Sequence, residues 1–308
     1  MITPSTATTH KVIMEYYLQL IINGLVVGSI YSLVALGFVI IFKATKVVNF
    51  AQGELVMVGA YVCFSLTVQY QLPFLLSFLL TLVFSIVLAI AVERMILRPL
   101  IGEPIISVIM VTIGLSSMLK SFVQMTWGTQ IQVFPPILPQ EPLMLMGLPI
   151  APVYIAAFGL SLLLFGVFTL FFKYSSLGIA MRATAFDQQA AQSMGIGIKS
   201  IFALSWCIAA VVSSIGGIIL GNINGINAQL GHLGLKVFPA VILGGLDSLL
   251  GAALGGLIIG VLENICEGAV KDLFGLGGFK EVASFVVLVV ILMVKPYGLF
   301  GTKEIERV

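Results

Sequence analysis

LVMVGAYVCFSLTVQYQLPFLLSFLLTLVFSIVLAIAV, residues 55–92, contains no Asp, Glu, Lys or Arg. About 20 apolar residues make a helix long enough to cross the roughly 30 Å hydrocarbon core of a bilayer. The stretch is therefore too long for one crossing and long enough for two. Gln69, Gln71 and Pro73 interrupt it, which places spans near residues 47–68 and 72–92. Lipid offers no partner to an open backbone N–H or C=O, and the run lacks the alternation of a barrel strand, so each crossing is a helix. The fold class follows: all-α, a polytopic transmembrane helix bundle.

Outward from this stretch, uncharged runs place further spans at 18–42, 105–127, 150–172 and 201–220. One more lies within 237–262, and a last begins at 282 and ends between 294 and 299, giving about eight membrane segments. Lys120 stands close enough to the end of its span to snorkel. Over the whole chain 59% of residues are hydrophobic and 9% charged, against about 25% charged in a soluble domain. There is too little charge to build a soluble surface. A net charge of +2, with no basic stripe, gives no basis for binding nucleic acid. Cys63, Cys207 and Cys266 lack metal-ligand spacing and read as small apolar fillers. Residues 1–13 read as a polar, disordered leader, and Met14 offers a start of its own. Residues 14–308 form a single transmembrane domain.

Orientation follows from lysine and arginine in the loops. Lys43 and Lys46, then Arg94 and Arg98, then Lys173, Arg182 and Lys199 follow the first, third and fifth spans. Residues 69–73 and 128–149 contain neither residue type, so the three basic loops are cytoplasmic. Eight spans would leave Lys303 and Arg307 outside, whereas one re-entrant stretch would bring the C-terminus in. GGLDSLLGAALGG, residues 244–256, makes re-entry plausible because Gly244, Gly245 and Asp247 interrupt the seventh run.

Several residue patterns bear on function. Small residues four apart recur at Gly24 and Gly28, at Gly217, Gly221 and Gly225, at Gly251 and Gly255, and at Gly256 and Gly260. Such sets let helix backbones approach closely in lipid. In VVNFAQGELVMVGAY, residues 47–61, the polar Asn49, Gln52 and Glu54 stand at the start of a span. A carboxylate there implies either a polar pathway or a helix start whose dipole favours Glu54. Asp247 is the main ionisable group within a predicted span. The cytoplasmic loop 173–199 holds helix formers over 182–194 with Gly195 as a stop; Arg182 and Asp187 charge a short helix suited to contact a soluble partner. No P-loop, HExxH, GxSxG or CxxC motif occurs, and His10 and His232 are far apart. A proton relay normally needs several intramembrane ionisable groups, so a stand-alone secondary carrier is the weaker reading. The chain has no enzyme motif of its own.

VVNFAQGE (47–54), VERMILRPL (92–100), KYSSLGIAMRATAFDQQAAQSMGI (173–196), GLKVFPAVILGGLDSLLGAALGGLIIGVLE (234–263) and FKEVASFVVLVVILMVKPYGLFG (279–301) occur in this order. Together they make the chain resemble the LivH-type permease subunits of branched-chain amino-acid ABC importers, from about Met14 to its last residue. The resemblance implies an inner-membrane permease working by alternating access. Its implied partners are a second, LivM-like permease, two ATP-binding-cassette subunits that hold ATP and Mg, and an extracytoplasmic substrate-binding protein. No cofactor is expected on this chain. Related permeases import urea or short amides, which remain alternative cargoes. The resemblance also implies that Gln189, Ala190, Ala191 and Gly195 occupy an EAA-x-x-x-G coupling motif, with glutamine replacing glutamate and no visible Ile-x-Leu-Pro part.

Overall fold

A computed structural model of the protein describes residues 6–136, 139, 141–145, 148–275, 277–295 and 298–301. The chain is almost wholly helical: α1 (Thr6–Thr45), α2 (Gln52–Phe64), α3 (Phe74–Val92), α4 (Ile105–Trp127), α5 (Pro152–Tyr174), α6 (Ser176–Phe186), α7 (Gln188–Ser193), α8 (Ile198–Asn224), α9 (Leu233–Gly244), α10 (Leu249–Phe274) and α11 (Lys280–Val294). A short antiparallel hairpin, β1 (Leu143–Leu145) and β2 (Leu148–Ile150), lies in the loop between α4 and α5. The helix at the N-terminus starts earlier than the polar leader suggests. Residues 6–13 contain neither Gly nor Pro, so nothing stops the helix of the first span from extending back through them.

The centre of the bundle is α1, packed against α10, α8, α5 and α9. Most of α1 and α8 is buried, whereas α3, α4 and α5 are mostly exposed. Their outward side chains are apolar, among them Leu75, Val83, Val87, Ile106, Met118, Phe122 and Leu163. That is the pattern of helices facing lipid or another membrane subunit rather than water.

The seventh run resolves into two helices. At Gly245 the backbone takes φ +102°, a conformation costly for any residue with a Cβ, and α9 stops there. Ser248 then caps α10, its Oγ accepting from Gly251 N at 3.0 Å. The carbonyls left open at the end of α9 are taken by the C-terminal strand of chain: Leu299 N donates to Leu243 O at 2.7 Å and Phe300 N to Gly244 O at 3.2 Å. With α2, α9 and α10 counted separately, the described residues hold nine membrane segments, α1 to α5 and α8 to α11. An odd number resolves the orientation, because Phe300 lies beside Lys43, Lys173 and Arg182, on the side of the basic loops. Lys303 and Arg307 fall outside the described residues.

This topology is testable with single cysteines in a background lacking the three native ones. Glu141→Cys should react with an impermeant thiol reagent in intact cells, whereas Ser176→Cys and Lys295→Cys should be protected. Labelling of Lys295→Cys from outside would remove the ninth segment. Gln140, the neighbouring position suggested by sequence alone, lies outside the described residues.

The glycines show how closely the helices approach. A Cβ on Gly24 would stand 2.7 Å from Val261 Cα, and one on Gly28 would stand 2.8 Å from Leu257 Cα. Gly256 and Gly260 face the same α1 surface around Ser32 and Gly28. Gly251 and Gly255 face α9 instead, at Gly244 and Ala240. Gly217 meets Val56 of α2, Gly221 meets Ile226 and Phe134, and Gly225 lies beyond the helix with φ +77° as its C-cap. The last is therefore a turn residue rather than part of a seam. Leu257, which helical spacing suggests faces lipid, has its backbone against Gly28; the exposed neighbour is Leu254.

Candidate functional site

Two membrane segments are broken, and they meet at their broken ends. Residues 47–51 run back into the bundle before α2 starts, so that Gln52 lies against Gly37 of α1, eight residues or about 12 Å short of the end of that helix. From the other side, a 3-10 turn (Ala228–His232) leads into α9. Gly53 and Gly234 make the crossing: a Cβ on Gly234 would stand 2.7 Å from Gly53 N. Neither position tolerates a side chain without moving backbone. Half-helices whose N-termini meet inside the membrane are the arrangement transporters use to present positive dipole ends to a cargo.

Asn49 and Gln52 hold the start of α2 in place. Asn49 Oδ1 accepts from Ala51 N at 3.0 Å and its Nδ2 donates to Gln52 Oε1 at 3.2 Å. Gln52 Nε2 donates to Ser213 Oγ of α8 at 2.6 Å. Next to it Ser214 and Ser85 share a 2.6 Å hydrogen bond, which extends the polar contact to α3. Gln52 is fully buried and its bonds point into protein; Asn49 lines a cavity of about 280 Å³ on the cytoplasmic side with Glu93, Glu103 and Gln188.

Glu54 differs from both. Its residue is only 6% exposed, yet Oε2 has no hydrogen-bond partner. The other oxygen lies against Gly231, and Ser116 and Lys120 of α4 both lie within electrostatic reach of the carboxylate. One helical turn beyond Ser116, Lys120 Nζ is 3.0 Å from His232 Nε2. Lys120 of α4 thus reaches across to the 3-10 turn that precedes α9. Thr112, Ser116 and Lys120 thus form a polar stripe on α4, with Thr112 Oγ1 accepting from Phe50 N at 3.4 Å. That four-residue spacing is visible in the sequence once α4 is drawn as one helix.

Asp247 is set apart from this cluster. It lies in the turn between α9 and α10, in a shallow cytoplasmic depression with Lys43, Lys173 and Arg182. A carboxylate enclosed by helices is instead Glu263 of α10, 1% exposed. It accepts from Tyr31 OH at 3.0 Å and Ser284 Oγ at 2.5 Å, joining α1, α10 and α11. Among the described residues no group of three or more His, Cys, Asp or Glu could hold a metal ion.

The cytoplasmic loop folds as two helices rather than one over 182–194. Asp187 takes extended backbone (φ −152°, ψ 111°) between α6 and α7, and its Oδ1 accepts from Gln189 N at 2.8 Å and Ala190 N at 3.0 Å. It is an N-cap, which favours a new helix start over continuation. Gly195, at φ +84°, closes α7 in the left-handed conformation that a helix end favours. Ala191 is buried against the bundle, while Gln189 and Ala190 face outward. On either side of α7, Phe186 is 94% and Met194 83% exposed. Arg182 is directed back to the membrane domain, its guanidinium 3.5 Å from Lys173 O.

The family model for "Branched-chain amino acid transport system / permease component" matches residues 20–295. The high-affinity branched-chain amino acid transport system permease protein BraD of Pseudomonas aeruginosa is 34% identical, covering 95% of this chain and 98% of BraD. LivH of Salmonella typhimurium, described in the same words, is 31% identical over 95% of this chain and 98% of its own. Among solved structures, PsaBC from Streptococcus pneumoniae in complex with Fab has a similar fold, with a TM-score of 0.52 at 13% identity over 91% of this chain and 92% of that one. With a family match over nearly its whole length, relatives above 30% identity and a helical membrane bundle, this chain belongs to the family of branched-chain amino acid transport permease components.

Proposed function

We propose that the chain is the transmembrane subunit of an ATP-binding-cassette importer carrying branched-chain amino acids across the bacterial inner membrane. The observation that carries this reading is the family match over residues 20–295 together with the names of the relatives. The partners are a LivM-like second permease against the exposed apolar helices, two ATPase subunits holding ATP and Mg, and a binding protein outside. Docking of the ATPases falls on α7 and its flanks, where Phe186 and Met194 expose large apolar side chains to the cytoplasm beside Gln189 and Ala190. Burying such residues in an interface is favourable by about 1.5–3 kcal/mol each. ATP binding shifts the permease only by favouring one of its conformations over the other, and α7 is the element through which that preference reaches the bundle.

The test is uptake by the reconstituted five-part complex. Leucine, isoleucine and valine should enter proteoliposomes only with ATP on the ATPase side and binding protein on the other. Urea or acetamide entering in their place overturns the substrate, and uptake by this chain alone on an ion gradient overturns the importer. Phe186→Asp should cut uptake by about tenfold, as expected for loss of one interface anchor worth at least ~1.4 kcal/mol. Asp187→Asn keeps a capping acceptor and should transport near the parent rate. Asp187→Lys removes the cap, at about 1 kcal/mol, and should weaken coupling by unwinding α7. Parent-rate uptake by Phe186→Asp would remove this loop from the ATPase interface.

A further inference from the structure

Charged groups within membrane segments face protein or water, because facing lipid is costly for an ammonium. Lys120 is half-buried and His232 exposed, so the groove between α4 and the 3-10 turn is turned toward a partner or an aqueous path. On the opposite face of α4, Met118, Phe122 and Met125 are exposed and apolar, which leaves that face for lipid or apolar protein. The groove holds the Lys120 ammonium, hydrogen-bonded to His232 Nε2, at one end and, one residue from His232, the carboxylate of Glu54 at the other, within electrostatic reach of Lys120. The N-termini of α2 and α9 meet beside it.

From this geometry we infer that Lys120, His232 and Glu54 form a waypoint for a zwitterion in the translocation path: Lys120 and His232 receive a carboxylate, and Glu54 receives an ammonium. The inference rests on the amino-acid importer reading above. The orphaned Oε2 of Glu54 is the second, independent mark of a ligand. A buried carboxylate oxygen without a donor is costly, and a passing ammonium supplies the donor. Gly231 has no side chain to press on the Glu54 carboxylate, where a Cβ would stand 3.0 Å from Oε1. Cargo and protein exchange partners there: the cargo gives up water at both of its charges and meets a matched pair of opposite charges. An apolar side chain of the cargo needs no selection at this point, in keeping with apolar neighbours such as Leu230 and Leu235.

Two measurements on the complete complex decide it. In a background with Cys63, Cys207 and Cys266 replaced by alanine, Lys120→Cys should react with a trimethylammonium-ethyl methanethiosulfonate about tenfold faster than Met118→Cys, since the reagent reaches water-lined positions and is excluded from apolar ones. Equal rates overturn the placement in the path. Uptake of leucine should fall about tenfold in Lys120→Gln and in His232→Gln, the loss of one charge-assisted contact, with assembly and ATP hydrolysis retained. Lys120→Arg keeps the charge and should stay near the parent. If the parent carries leucine and both glutamine variants match it, the waypoint falls while the importer stands. If the parent carries only uncharged cargo, the substrate reading and the waypoint fall together.

Discussion

Gly255→Leu is expected to lower the thermal stability of the purified permease complex and abolish its ATP-driven uptake, whereas Leu254→Ala changes neither. A Cβ at position 255 would stand 3.1 Å from Gly244 N and closer still to the Ala240 carbonyl. Both obstacles are backbone, so no side-chain rotation relieves the clash. Overfilling a packed interface costs about 1–3 kcal/mol where side chains can adjust, and more where main chain must move. Here α9 cannot simply retreat. Its last carbonyls are held by Leu299 and Phe300, and its other end is locked against Gly53. Leu254 lies one position earlier with its side chain exposed, and truncating such a residue stays within about 0.5 kcal/mol. Thermal midpoints in detergent and uptake in proteoliposomes measure both variants side by side. Parent-like behaviour of Gly255→Leu would make the close approach incidental to the fold. Loss of uptake with an unchanged midpoint would instead assign the α9–α10 contact to the moving part of the cycle.

The membrane fold was legible because its signal is local. Uncharged length marks a crossing, and the interruptions at Pro73 and at Gly244–Asp247 do end helices. The polar interior was not legible, for a reason built into the same signal. Absence of charge marks a crossing but does not say how deep a charge near its end will sit. The seventh run was closed at residue 262, one short of Glu263, while α10 continues to Phe274. Glu54 and Lys120 fall inside the spans 47–68 and 105–127 but toward their ends, where a charge reads as interfacial. Once these positions count as interior, intramembrane ionisable groups are no longer scarce. The contacts among them are invisible to spacing: Lys120 and His232 are 112 positions apart, and only the crossing of α2 and α9 brings Glu54 to the same place. In the cytoplasmic loop the helix formers were read well and the break at Asp187 was not. An aspartate at mid-helix and an aspartate at an N-cap look alike until the backbone shows which amides face it.

Glu263→Leu should destabilise the permease by about 3–5 kcal/mol, the cost of removing one partner from a buried charged assembly. Glu263→Gln should be nearly as harmful. Two effects compete in setting this result. Hydrogen bonds between membrane helices average about 0.6 kcal/mol each, so losing the acceptors for Tyr31 and Ser284 accounts for only ~1 kcal/mol. The remainder comes from charge, since Lys236 of α9 and Lys280 of α11 both lie within electrostatic reach of this buried carboxylate, whose negative charge offsets part of their field. Glutamine retains an acceptor for one hydroxyl and restores no charge. If hydrogen bonding dominated, Glu263→Gln would melt close to the parent and Glu263→Leu about 1 kcal/mol below it; if charge dominates, the two variants melt together and far below. A third variant separates charge from shape: Lys236→Met in the Glu263→Gln background lowers the positive charge near position 263 and should recover part of the lost midpoint. Thermal unfolding of all three in one detergent reads the outcome, and a Glu263→Gln protein as stable as the parent would leave this carboxylate only the role of joining three helices through hydroxyl groups.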